Sequence, residues 1–135
     1  GIVYMIRDVY FEPSLGHTAA HALEALALKV ELCQPALFET HRFNFTCPDD
    51  TKNLSLGQMK SLLQGALIAH PSLAFLSTSA LAGILKNRDP EWVEPDLRRR
   101  LHVWIRRLRE FPRLRKLAWV TGWVLPACLV WKLTG

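Results

Sequence analysis

The sequence predicts an α/β protein, and three observations carry that expectation. Extended segments rich in β-branched and aromatic residues alternate with Ala- and Leu-rich segments of helical periodicity through residues 1–86. The connections between them are short, and Pro13, Gly16, Pro35 and Pro71 stand at the junctions. The order strand, helix, strand, helix, strand, helix favours a parallel sheet covered by helices. Residues 87–96 then form a charged linker with two prolines, and residues 97–135 carry a basic amphipathic helix followed by an apolar one.

Residues 2–6 and 9–11 read as an extended first strand. The chain enters it directly from Gly1, so we expect the start to be a truncation. Glu12, Pro13, Ser14, Leu15 and Gly16 supply turn chemistry, because proline fixes φ and glycine tolerates positive φ. Across residues 17–32, Leu23, Leu26, Val30 and Cys33 fall at helical spacing, which predicts a helix that Pro35 stops. Residues 36–40 (A-L-F-E-T) read as a short second strand and residues 46–53 as a polar loop. Ser55 is placed to cap a second helix with Leu56, Met59, Leu62, Leu63, Ala66 and Leu67 on one stripe, ended by Pro71. Residues 73–77 read as a third strand, and Thr78 or Ser79 caps a short helix running to about residue 85.

Charge divides the chain. Residues 1–96 hold 7 Lys/Arg against 11 Asp/Glu, a net of −4, whereas residues 97–116 hold 9 against one, a net of +8. A mildly acidic body joined to a basic segment points that segment towards an anionic partner. Cys33, Cys47 and Cys128 are odd in number and lack C-x-x-C spacing, so a disulfide framework is not expected. A Walker loop, a G-x-G-x-x-G and a G-x-S-x-G are all missing from the sequence.

The densest cluster of chemically capable side chains follows the second strand: Glu39, Thr40, His41, Arg42 and Asn44. In parallel α/β folds functional groups collect at the C-terminal ends of strands. A histidine there can act as general acid or base near neutral pH, with Arg42 clamping an anion and Glu39 holding the imidazole tautomer. The structural alternative has His41 and Arg42 bonding loop backbone while Glu39 balances Arg42. Arg7, Asp8 and Glu12 surround the end of the first strand and face the same cleft if the two strands are neighbours. Equally, Arg7 and Asp8 can be a surface pair of small energetic weight. His17 and His21 are spaced i, i+4, which on a helix allows both to ligate one metal, with Glu12, Glu24 or His41 as a third ligand. Cys47, six residues after His41, offers a Cys–His pair with no orienting signature.

Residues 7–14 (R-D-V-Y-F-E-P-S), 34–45 (Q-P-A-L-F-E-T-H-R-F-N-F) and 71–81 (P-S-L-A-F-L-S-T-S-A-L) together resemble the polysaccharide-deacetylase (NodB-homology) superfamily, in its bacterial surface-polysaccharide branch. The resemblance implies that residues 1–86 are the C-terminal βαβαβα portion of a deacetylase-like (β/α) barrel. It implies His41 as general acid towards a leaving sugar atom, and Arg42 and Glu39 beside it complete the candidate catalytic set. Arg7, Asp8, Glu12 and Asn44 become the substrate-binding wall. A divalent metal such as zinc is also implied, its Asp-Asp motif and most ligands expected upstream of Gly1. His17-Thr-Ala-Ala-His21 is similar to the superfamily's H-[S/T]-x-x-H metal motif but stands at a different place in the order.

Leu97, Leu101, Trp104, Leu108 and Phe111 make one apolar stripe among six arginines, a basic amphipathic helix. Residues 117–131 are uncharged, flanked by Lys116 and Lys132, with Trp119, Trp123 and Trp131. We expect residues 97–131 to meet an anionic membrane surface, on the cytoplasmic face of a bacterial inner membrane, as a short span, an interfacial hairpin or a re-entrant segment. A soluble helix packed on the body is the other outcome. The charge also fits nucleic acid, but no recognisable module accompanies it. Two function classes follow: a membrane-associated carbohydrate deacetylase-like hydrolase, or an inactive α/β module docking at the membrane in a polysaccharide-assembly complex.

Overall fold

The computed structural model describes residues 2–5, 7, 9–46, 48–126 and 129. The chain divides into two compact units, Tyr4–Ser77 and a second formed by Gly1–Val3 with Thr78–Gly135. It is α/β in the broad sense: mostly helical, with one two-stranded sheet among the described residues.

In the first unit, β1 (Val9–Tyr10) and β2 (Phe38–Glu39) pair in parallel, Val9 opposite Phe38 and Tyr10 opposite Glu39. Between them run a single 3₁₀ turn (Pro13–Leu15) and helix α1 (Ala19–Glu31). The 3₁₀ turn starts on a proline whose missing N–H is not needed there. It ends at Gly16, whose φ of 91° suits a residue without Cβ. Thr18 caps α1, its hydroxyl accepting from the His21 amide at 3.3 Å. Gln58 reaches from a later helix to accept from the Ala19 amide at 2.7 Å, satisfying a second orphan donor. At the other end Cys33 adopts φ 53°, with its amide on the Val30 carbonyl and the Gln34 amide on that of Lys29. These two bonds are a Schellman motif with cysteine where glycine is usual.

Helix α2 (Phe43–Thr46) follows β2 directly, and α3 (Asp49–Ala69) follows Pro48. Helix α3 packs on both α1 and α2. The core joins Phe11, Ala19, Ala22 and Leu62, with Leu23, Phe38 and Met59 against it. Gly65 of α3 lets Leu23 come close, since a Cβ there would meet a Leu23 methyl at 2.7 Å.

Three expected elements differ. The polar loop at residues 46–53 is the end of α2 and the first turns of α3, and Ser55 is buried inside α3 instead of capping it. Asp49 and Asp50 in the first turn complement the helix dipole, so the true start lies where the acids are. Residues 73–77 have no regular secondary structure and join no sheet among the described residues, and Phe75 and Leu76 are exposed. Residues 2–5 likewise belong to no strand among the described residues.

In the second unit α4 (Thr78–Asn87) carries no buried residue. Helix α5 (Leu97–Arg107) is capped by Asp96, whose carboxylate accepts from the Arg98 amide at 3.2 Å. A 3₁₀ turn (Leu108–Glu110) leads to α6 (Pro112–Val120), which begins on proline. Gly122, at φ 72°, turns the chain after α6 so that Val124 packs back on Leu108 and Ala118. The uncharged run that starts at Leu117 is therefore broken, and no helix among the described residues is long and apolar enough to cross a membrane. Trp131 and Lys132, at the far end of that run, lie outside the described residues.

Candidate active site

Parallel pairing sets the ends of β1 and β2 side by side, and the residues just past each end form one hydrogen-bonded cluster. The Phe11 amide donates to the Glu39 carbonyl at 2.8 Å, continuing the ladder one step past β1. Glu12 comes next and points inward, only 4% exposed. Its Oε1 lies 2.6 Å from His41 Nδ1. Its Oε2 accepts from the Asn44 side-chain amide and, at 3.5 Å, from the His41 backbone amide. Both carboxylate oxygens therefore act as acceptors, which fixes the proton of His41 on Nδ1. Burial pushes the Glu12 carboxyl up, but the hydrogen bonds from Asn44 and His41, and the His41 charge, outweigh it and hold the group below its usual range.

Asn44 is fully buried and ties the turn after β1 to the end of β2. Its Nδ2 donates to Glu12, to the His41 carbonyl at 2.8 Å and to the Thr40 hydroxyl at 3.3 Å. Its Oδ1 accepts from the Ser14 amide at 3.1 Å and the Ser14 hydroxyl at 2.6 Å. The one-turn helix α2 exists to present this side chain, its first turn closed by bonds from the Asn44 and Phe45 amides to the His41 and Arg42 carbonyls.

The His41 ring has the opposite exposure, its side chain 55% accessible. With Nδ1 held by Glu12, Nε2 faces outward, 3.9 Å from Glu39 Oε1. The same oxygen pairs with Arg7 at 2.9 Å. The Phe43 ring lies nearly parallel to the imidazole, centroids 5.8 Å apart, and is itself exposed. One end of the imidazole is thus anchored on a buried carboxylate while more than half of the side chain is accessible. That is the division of labour a general acid or base requires.

Several sequence expectations change here. Glu12, not Glu39, holds the imidazole tautomer. Glu39 is balanced by Arg7 and borders Nε2. Glu12 and Asn44, expected to bind substrate, are buried and have their polar atoms engaged within the protein. Arg7 does reach the cluster, and Arg42 is exposed beside it. Asp8 and Cys47 lie outside the described residues. Ser14, read from the sequence only as part of a turn, and Thr40, read only as one of the polar residues after β2, supply the hydroxyls that complete the Asn44 network. Their only sequence signal is position, next to a turn proline and a strand end.

The i, i+4 histidine geometry is not realised. His17 precedes α1, and its Nδ1 sits 3.1 Å from both the Glu12 amide and the Tyr10 carbonyl. His21 is in the helix, loosely paired with Glu24 at 4.0 Å. Among the described residues no group of three or more His, Cys, Asp or Glu side chains is arranged to hold a metal ion.

Comparison of the chain with protein-family models, with curated proteins and with solved structures finds no match in any of the three.

Proposed function

We propose that His41 is the proton-transferring residue of a hydrolytic site, and that the site removes an acyl group from a sugar. The observation that carries the first part is the buried Glu12 carboxylate bonded to Nδ1 of an imidazole whose Nε2 is open to solvent. In the reaction, water adds to the acyl carbon and the bond to the sugar oxygen or nitrogen breaks. Imidazolium at His41 delivers its Nε2 proton to that departing atom, and the proton lost by the attacking water returns to Nε2, so the acyl group leaves as a carboxylic acid and the imidazolium is restored. Glu12 stabilises the imidazolium through a charge-assisted bond and keeps the ring oriented. Arg7 and Glu39 border the same ring edge and Phe43 lines its face, giving the sugar a charged and an apolar side to rest on.

The second part rests on the resemblance of residues 7–14 and 34–45 to the polysaccharide-deacetylase superfamily. The finer expectation of a (β/α) barrel belongs to the same proposal. It is supported by the parallel β1–β2 pair with a helix between its strands.

The test is acetate release from an acetylated polysaccharide by the full-length protein and its His41→Gln variant. General acid–base catalysis contributes about 10²–10⁴-fold, so the variant should lose at least the lower figure. His41 is exposed, so its circular dichroism should be unchanged. Undiminished release by the variant would remove His41 from the chemistry.

A further inference from the structure

The second unit has a surface that its own fold leaves uncovered. Among its described residues only Leu108, Ala118 and Val124 are buried. Against that small core stand large apolar side chains in the open. Leu114, Leu117, Val120 and Trp123 recur at every third position and are 52%, 58%, 86% and 70% exposed. Residues three apart on a helix share a face, so the three in α6 form one stripe, and Trp123 in the turn lies one further step along. Phe111 and Leu125 are exposed at either end, and Trp119 is exposed elsewhere on α6.

Basic side chains accompany this stripe. Arg100, Arg107, Arg113, Arg115 and Lys116 are exposed, and residues 97–116 hold a net charge of +8 with Glu110 as the single acid. Apolar and cationic groups on one short hairpin match the two layers of a bilayer surface, acyl chains below and anionic headgroups above. Tryptophan favours that boundary, and arginine can keep its head in the polar layer while its stem lies in the apolar one. The turn at Gly122 and the return of Val124 onto Leu108 and Ala118 give this segment the shape of a hairpin lying in the surface.

We infer that residues 97–125 are an interfacial anchor that binds anionic lipid bilayers, with α6 and the Gly122 turn inserted to the depth of the headgroup boundary. This inference is independent of the chemistry at His41. A nucleic acid would meet the charge but leave the Leu114–Trp123 stripe in water, and a second copy of the chain would meet the stripe but oppose like charges.

The experiment uses the full 135-residue chain and sedimentation with vesicles of phosphatidylcholine, either alone or with one third phosphatidylglycerol. Binding is expected to the mixed vesicles and to fall steeply with salt, as the screening length shrinks from about 10 Å at 0.1 M to about 3 Å at 1 M. Each basic residue near the surface is worth about fivefold in partitioning, so Arg113→Gln/Arg115→Gln/Lys116→Gln should lower it by about a hundredfold. Brominated acyl chains should quench tryptophan fluorescence, and Trp119→Phe/Trp123→Phe should lose most of that quenching while still sedimenting. All five positions are exposed, so the variants leave the small core intact. Equal binding to both vesicle types, no binding to either, quenching unchanged in the tryptophan variant, or preferential capture by duplex DNA at equal salt would each overturn the inference. So would a stable dimer that hides Trp119 and Trp123 from lipid.

Discussion

Replacing Glu12 by glutamine removes one charge while keeping the side chain's shape, and the site geometry dictates the response. Glu12 accepts at both oxygens: Oε1 from His41 Nδ1, and Oε2 from the Asn44 amide and the His41 backbone amide. Glutamine has one acceptor oxygen and one NH₂. If the NH₂ faced Asn44 and the His41 backbone, donors would oppose donors in a buried place. It must therefore face the imidazole, and His41 can only accept from it by giving up the proton on Nδ1. Glu12→Gln should thus switch His41 to the Nε2–H tautomer with little movement of heavy atoms. The charge-assisted bond becomes a neutral one, and since hydrogen bonds to charged groups contribute about 1.5–3 kcal/mol against about 1 for neutral ones, the loss should be about 0.5–2 kcal/mol. Side-chain ¹⁵N spectra distinguish a protonated Nδ1 from a bare one, and urea unfolding gives the stability change. In the proposed reaction the variant should be impaired about as severely as His41→Gln, because the ring can no longer carry a proton on both nitrogens. A ring that stayed protonated at Nδ1 in Glu12→Gln, or a variant as stable as the parent, would refute the reasoning.

Acid should act on the same group. Glu12 is held below the ordinary glutamate value of about 4.3, so the unfolded chain binds the proton more readily than the native one. Its contribution is complete above that value and is lost as pH falls through the lower native one, so wild-type stability should decline there more steeply than that of Glu12→Gln. Ser55 is fully buried in α3, and its hydroxyl has no hydrogen-bond partner among the described residues. Ser55→Ala should therefore stabilise the protein by about 1–2 kcal/mol, from relief of the stranded hydroxyl and better helix propensity, read as a rise in Tm. Cys33 holds a left-handed conformation at the end of α1, which costs an L-residue about 1–2 kcal/mol. Cys33→Gly should gain up to about 1 kcal/mol in urea unfolding, the extra freedom of unfolded glycine offsetting the rest.

Helix α1 was legible because its apolar positions repeat at helical spacing and Pro35 bounds it. The parallel pairing of β1 and β2 followed from the helix between them, and with it the meeting of the Glu12 and His41 segments. What eluded the sequence was which carboxylate reaches the ring. Residues two apart in a strand share a face, which favours Glu39 as the partner of His41. But β2 ends at Glu39, and after Thr40 the chain turns into α2, aiming the imidazole across at the end of β1. The start of α3 was hidden for another reason: Asp49 to Asn53 offer no apolar period, although Pro48 and the two aspartates are N-terminal signals. Residues 73–77 have strand composition, yet a strand exists only where a neighbour completes its hydrogen bonds, and composition says nothing of the neighbour.

His17 also bears on the site, from the far side of the turn. Its Nδ1 is equally close to a donor, the Glu12 amide, and to an acceptor, the Tyr10 carbonyl. A bare nitrogen serves the first and a protonated one the second, so the two bonds exclude each other. The backbone that carries Glu12 therefore has two bonding arrangements with the same atomic positions, separated by one hydrogen. The rate at which the Glu12 amide exchanges its hydrogen with solvent becomes a gauge of where His17 keeps its own.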